Sequence, residues 1–528
     1  MELNFIDILV FLIFIGTVVI FSMIKSRKEE SSEDYFLAGR GLKWWIIGFS
    51  IVAANISTEQ FVGMSGSGAG NVGLAVSGYQ LLGAVTIVFV ALYFLPRFLR
   101  AGIFTMPQYL EFRYNPTARG IMAFYTMVIY VAVTITAVIY SGGITLHTIF
   151  NMDLVLAIWL IGLVAGLYTT WGGLKAVAWA DLFQGSGLLL GGLLTMVLGF
   201  LAIGRIAPEA AENSGLMTTF FSGVSFFARE NADRLHMVLP ADHPELPWTA
   251  LILGLWIPNF YYTGLNQFIV QRTLAAKTLR HGQLGIIFAA GLWLIVPFAI
   301  VFPGIMSHQL YGDVLTTPDQ AYPTLIRNLI PIGVRGFIFA ALSGAVISSL
   351  ASMLNSASTI FTIDLYKGFW KKDVKDKSLV LLGRLMTIVF VIIGCLIAPR
   401  LADPKFGGVF KYIQEFQGYI SPGILAAFVF GFVVKRAPAA SGITALIACV
   451  PIYGFLQWQF SGIAFLNRMA ITFVLLILIM TAITKLWPLS KPKQMPVNKD
   501  FDLSTSPLVR ILGTAVILAV IGIYAIFW

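Results

Sequence analysis

Four stretches of polar side chains interrupt otherwise apolar runs of this 528-residue chain. The first reads Ala53-Ala54-Asn55-Ile56-Ser57-Thr58-Glu59-Gln60, and the second Pro258-Asn259-Phe260-Tyr261-Tyr262-Thr263-Gly264-Leu265-Asn266-Gln267. The third spreads Ser343, Ser348, Ser349, Ser352 and Asn355 along one run, and the fourth holds Gln414, Glu415 and Gln417. These are groups that bind; no hydrolase triad, kinase set or phosphate loop stands in a credible context. Ala345, Ser348 and Ser349 lie at i, i+3 and i+4 and share a helix face. Two hydroxyls with backbone carbonyls form a small neutral oxygen cage, which suits a hard monovalent cation such as sodium. Carbonyls freed by unwinding near Ala53 and Ile56 would complete it. Hydrogen-bonded glue between helices accounts for any one cluster. Four together, with Glu59 and Glu415, ask for a cavity, because polar groups inside a membrane span are costly unless they face one or each other.

The elements that hold these groups are membrane helices. The chain is 58% hydrophobic and 11% charged, against about 25% charged for ordinary globular proteins. Runs of about 20 apolar residues, the length of a spanning helix, number fourteen. They fall at roughly 5–24, 45–65, 76–98, 120–149, 153–171, 178–204, 249–270, 284–307, 333–360, 379–398, 408–432, 439–458, 464–484 and 509–527. The first has an acidic start and no clear cleavage site, which reads as a retained helix. With the N-terminus outside, 26 of the 35 Lys and Arg gather in or beside inner loops, Arg113 and Arg272 among them. The positive-inside rule picks that orientation and puts both termini on the outer side. The same clustering between apolar runs explains the net charge of +10 without nucleic acid. The two cysteines sit in apolar runs and predict no disulfide, and five scattered histidines predict no metal cluster. Gly68-Ala69-Gly70-Asn71-Val72-Gly73 matches a dinucleotide fingerprint but follows a membrane helix, not a strand. The loop at about 205–247 reads as a polar cap.

Spans two to six and seven to eleven form two sets of five, and the polar, helix-breaking stretch falls in the first helix of each. Interrupted helices at corresponding positions of two halves point to a midplane site in inverted-repeat transporters. The expected organisation is one all-α membrane domain over 1–528. It has an extra helix at 5–24, repeats at 45–204 and 249–432, and three further helices at 439–527.

At these residues the chain resembles the sodium/glucose cotransporter family, the solute:sodium symporters. The likeness runs through Glu33-Asp34-Tyr35-Phe36-Leu37-Ala38-Gly39-Arg40, Ala54 to Phe61, Gln271 to Lys277, Ser348 to Ser356, Tyr412-Ile413-Gln414-Glu415 and the closing Phe527-Trp528. It implies a leucine-transporter-type five-plus-five core and sodium-coupled symport by alternating access, most simply by a monomer in a bacterial inner membrane. By the same resemblance, sodium would be held by carbonyls of Ala53, Ile56 and Ala345 and hydroxyls of Ser348 and Ser349. The sugar would be held by Asn55, Gln60, Asn259 and Gln414, with Tyr262 as inner gate and Met64, Tyr79 and Phe410 as outer gate. Asp181 would link to cation coupling. Ala351 stands where a second sodium would want a hydroxyl near Ser352, so one sodium per solute is expected.

The chain departs from sugar-carrying members at three positions of the implied pocket. It has Gln80 for Glu, Gly83 for Ser and Trp293 for the Lys of galactose-carrying bacterial members. An anionic acceptor and a cationic donor are thereby lost, and the expected solute is a neutral monosaccharide or polyol. The alternatives are another organic solute, such as a carboxylate, sialic acid, nucleoside or vitamin, or a solute-gated sensor or channel on the same scaffold.

Overall fold

A computed structural model describes residues 4–26, 38–171, 174–208, 215–497 and 504–528. The Glu33–Leu37 part of the family-like stretch lies outside the described residues. In lipid every backbone polar group needs a partner within the protein, and a helix supplies it locally. The described residues accordingly form helices, with isolated bridges but no sheet.

In chain order these are α1 (Phe5–Ser26), the broken pair α2 (Trp44–Asn55) and α3 (Thr58–Ala69), α4 (Gly73–Ala101), α5 (Pro116–Phe150), α6 (Leu154–Trp171) and α7 (Leu174–Ile206). The helix α8 (Leu216–Glu230) lies inside the expected polar cap. Then follow α9 (Trp256–Gly264), α10 (Gln267–Leu274), α11 (Leu279–Val314), α12 (Val334–Trp370) and α13 (Asp376–Ile397). The chain closes with α14 (Val409–Gln417), α15 (Ser421–Val433), α16 (Ala439–Gln459), α17 (Phe465–Leu486) and α18 (Pro507–Ile526).

All fourteen expected segments coincide with helix. Among the described residues nine helices are long and apolar enough to cross a bilayer, and the bent pairs α2–α3 and α14–α15 bring the number to eleven. α1 and α6 hold shorter apolar stretches, and the seventh expected span is a run of short pieces ending in α9 and α10.

The bends are 56° between α2 and α3 and 46° between α14 and α15. The second of these was not expected: Gly418, Tyr419 and Ile420 separate the two helices. α2 and α3 are buried almost all round, and α2 packs on α7, α11 and α12. At Gly63 an added Cβ would lie 2.8 Å from the Phe410 Cβ, so glycine lets α14 lie directly on α3. The turn into α14 passes through Gly407 and Gly408 at φ 66° and 96°, a region open to glycine at little cost.

Two positive charges assigned to inner loops are instead buried. Arg113 donates to the carbonyls of Gly431 (2.8 Å), Val434 (2.6 Å) and Ala437 (3.2 Å). There it satisfies the orphan carbonyls at the end of α15. Arg272 lies inside the bundle, 1% exposed. Hydropathy counts a charge beside an apolar run as loop, and only a partner across the bundle shows otherwise.

Candidate functional site

The break after α2 creates the first cluster. Ile56 (φ −91°, ψ 81°) and Ser57 (φ −115°, ψ −167°) leave the helical region, so carbonyls of the last turn lose their usual donors. Val52 still accepts from Ile56 N–H at 2.6 Å, while the Ala53 carbonyl takes the Ser349 hydroxyl at 3.4 Å. α7 presses on this turn, and a Cβ at Gly185 would sit 2.9 Å from that of Ala53. Ala53, Ile56, Ala345, Ser348 and Ser349 are all buried at the α2–α12 contact.

Ser348 is more engaged than its sequence position suggests. Its hydroxyl donates to Asp181 Oδ1, while Asp181 Oδ2 accepts from Ser50 Oγ at 2.5 Å and Arg272 Nη2 at 3.1 Å. Arg272 also donates to Ser50 Oγ (2.6 Å) and Ser352 Oγ (2.6 Å), and Ser352 donates to the Ser348 carbonyl at 2.9 Å. The result is a closed knot of α2, α7, α10 and α12. Arg272 is the member that sequence reasoning missed as a site residue, although it stood inside the family-like stretch Gln271–Lys277. A buried charge pair of this kind survives only when further hydrogen bonds satisfy both ions, as they do here.

Beside the knot lies a small chamber. Asn55, Gln60, Tyr79, Gln80, Gly83, Asn259, Tyr262, Trp293, Phe410 and Gln414 all line it, joined by Gln417. Six helical segments, α2, α3, α4, α9, α11 and α14, thus bring the expected solute residues to one place. Among the described residues no charged side chain lines it. Asn55 Oδ1, Gln60 Oε1 and Trp293 Nε1 are buried without a hydrogen-bond partner. Such atoms cost about 1–3 kcal/mol each when left unsatisfied. Trp293 and Gly83 form one steric unit, because a Cβ at Gly83 would touch the indole at 3.5 Å. Asn259 faces the chamber, but its amide is engaged. With the amide assigned by its neighbours, Nδ2 toward the Tyr79 carbonyl and Oδ1 toward Gly83 N–H, both bonds form at 3.2 Å.

Phe410 separates this chamber from a wider vestibule of about 360 Å3 whose wall it also forms. It meets Tyr79 edge-on with ring centroids 4.9 Å apart. Met64 lies behind, with Gln80 Nε2 3.9 Å from its sulfur. On the other side Tyr262 packs edge-on to Phe268 at 5.6 Å. The chamber keeps about 30 Å3 of free space, room for one or two waters.

Several other polar residues of the four clusters are spent on structure. Tyr130 donates to Asn266 Oδ1 and accepts from Phe268 N–H at 3.2 Å, capping the break between α9 and α10. Gln267 binds Met106 N–H (2.8 Å) and the Phe104 carbonyl (3.2 Å). Glu415 does not line the chamber; it pairs with Arg468 at 2.9 Å and accepts from Gln457 at 3.1 Å.

Comparison with known proteins agrees with this geometry. The model of the sodium:solute symporter family matches residues 35–449. A sodium/glucose cotransporter of Vibrio parahaemolyticus is 39% identical over 553 aligned positions, covering 100% of this chain and 99% of that one. A sodium/myo-inositol cotransporter 2 of Bos taurus is 34% identical, over 81% of this chain and 66% of that one. The structure of a sodium-coupled sialic acid symporter in a substrate-bound outward-open state superposes with a TM-score of 0.79 at 22% identity, covering 93% of this chain and 99% of that one. That last likeness shows the fold, the leucine-transporter type expected from the sequence. With its family model matched over most of the length and relatives well above 30% identity, the chain belongs to the sodium:solute symporter family, multi-pass membrane carriers that couple a small solute to sodium.

Proposed function

We propose that the solute is a neutral polyhydroxylated molecule, a monosaccharide or polyol, bound in the chamber between Tyr79–Phe410 and Tyr262. The observation that carries this reading is the chamber's chemistry: no charged lining residue, several amides, and buried Asn55 Oδ1, Gln60 Oε1 and Trp293 Nε1 without partners. Hydroxyl groups both donate and accept, and so satisfy such a mixed set. A carboxylate solute would ask for a fixed cation, and none lines the chamber. The glucose and myo-inositol relatives support the same class. A hexose does not fit 30 Å3, so its entry requires Phe410 and Tyr79 to part.

Sodium would bind between the freed carbonyls of Ala53 and Ile56 and the Ala345–Ser348–Ser349 face. Ser349 reaches Ala53 already, and a cation there would replace its proton as the partner of that carbonyl. The chain is read with both termini outside, so the vestibule opens outward. One sodium per solute fits the knot, because Asp181 and Ser352, the groups a second ion would use, are already engaged by Arg272. At 100 mV and a tenfold gradient, one sodium supplies about 2.3 plus 1.4 kcal/mol, which limits accumulation to roughly 500-fold.

Thermal shift of the purified chain across neutral sugars, polyols and organic acids, each with sodium or potassium, tests this reading. A sodium-dependent shift with a hexose or polyol is expected, and a shift confined to acids or nucleosides would replace it. Ser349→Ala should raise the sodium concentration needed for half-maximal uptake. Paired isotope fluxes in proteoliposomes read the stoichiometry, and a 2:1 ratio would overturn the single-sodium assignment.

A further inference from the structure

Two cavities on the surface of the bundle lie one beyond the other along α4 and α15. One, about 700 Å3, is an apolar groove between α4, α9, α15 and α17, walled by Phe89, Phe94, Phe260, Val429 and Val474. Its rim is open, with Tyr93 53% and Val474 54% exposed. Apolar side chains exposed on spanning helices face lipid tails. The other, about 530 Å3, lies further along α4 and at the end of α15, and collects Arg97, Arg100, Arg113, Lys435 and Lys493. Among the described residues no acidic side chain lines it.

The two are neighbours across one pair of rings. Phe94 of the groove packs on Phe432 of the basic cavity with centroids 5.0 Å apart, and the Arg97 guanidinium lies 5.3 Å over the same Phe432 ring. At 1.5 Å rise per residue, Arg97 and Arg100 stand about 6–10 Å beyond Tyr93 along α4. That offset matches a phosphate at the interface above acyl chains. Arg113 is satisfied by the three carbonyls at the end of α15. Arg97, Arg100, Lys435 and Lys493 have no ion pair among the described residues. The segment carrying Lys493 is held in place, with Leu489 N–H on the Arg436 carbonyl (2.9 Å) and Lys493 N–H on that of Lys435 (3.0 Å). Four like charges gathered at one edge repel unless a counter-charge joins them. A second apolar groove, about 730 Å3 between α11 and α18, has one cation, Arg280, in its lining.

We propose that this composite site binds an anionic glycerophospholipid, its acyl chains in the α4–α9–α15–α17 groove and its phosphate among Arg97, Arg100, Lys435 and Lys493. Basic pockets between membrane helices are the setting in which anionic headgroups are held.

The test is native mass spectrometry of the full-length chain released from nanodiscs of phosphatidylglycerol and phosphatidylcholine with matched acyl chains. Retained phosphatidylglycerol is expected in preference to phosphatidylcholine. Its apparent affinity should fall about fivefold per cation removed in R97Q/R100Q/K435Q/K493Q. K435Q/K493Q, at two exposed lysines, gives the same reading should the fourfold variant fold poorly, and Arg280→Gln should leave retention unchanged. Equal retention of both lipids, or no loss in K435Q/K493Q, overturns the proposal. So does an equal thermal stabilisation by inorganic phosphate, which would assign the site to a free anion.

Discussion

Between α2 and α3, Asn55 Oδ1, Ser57 Oγ, Glu59 Oε2 and Gln60 Oε1 are buried with no hydrogen-bond partner. Between α9 and α10, by contrast, Asn259, Asn266 and Gln267 all have partners, to α4, to Tyr130 and to the 104–106 loop. Both breaks looked alike as sequence, each an amide-rich interruption of an apolar run. The first keeps its polarity in reserve, and a solute and an ion can claim it. The second spends its polarity on holding the backbone open. Two broken helices at corresponding places therefore divide the work, one presenting ligands and one fixing the frame.

The largest effect should come where the two breaks are tied together. Arg272 follows the second break and reaches Ser50, Asp181 and Ser352. Arg272→Gln leaves Asp181 buried without its cation and should cost about 3–5 kcal/mol, read as loss of thermal stability in detergent. Adding Asp181→Asn should recover part of it. An unchanged melting temperature in Arg272→Gln would dissolve the link.

Next in size are changes at the first break. Asn55→Ala and Gln60→Ala should each weaken solute binding about tenfold with a smaller effect on melting, because Asn55 Oδ1 and Gln60 Oε1 bond nothing in the free protein. Stability loss with intact affinity would make the first break structural too. The mirror experiment is Tyr130→Phe, which strips the cap from the second break. It should cost about 1–3 kcal/mol of stability with solute affinity preserved. A large affinity loss there would erase the contrast.

The last effect is read in pH, at the start of α14 beside the vestibule. Asp319 accepts from Val409 N–H at 3.1 Å at the start of α14, and burial pushes its carboxyl up to about 7 from an ordinary 3.8. With the folded-state pKa raised, the folded protein holds this proton where the unfolded chain has lost it. Stability from this group is therefore full below pH 3.8 and lost as pH rises towards 7. Melting temperature should fall from pH 5 to 7 and level off above, and Asp319→Asn should flatten that slope.

The membrane class, the helical segments and the amide-rich breaks were legible from residue order, while the set of residues expected around the solute came from the family resemblance. Hydropathy reports burial in lipid directly, and an amide inside an apolar run is conspicuous wherever the run sits. Sequence could not say which polar atoms are spent. Asn55 and Asn266 are the same side chain beside the same kind of break, and only the neighbour across the bundle, Tyr130 in one case and open chamber in the other, separates ligand from cap. Arg272 shows the limit most plainly. A charge after an apolar run reads as loop, and its place in the core was decided by Asp181, 91 positions away. Residue type and local spacing carry the cost of burying a polar group. Whether that cost is met by the protein or left for a solute depends on contacts that only the tertiary structure makes.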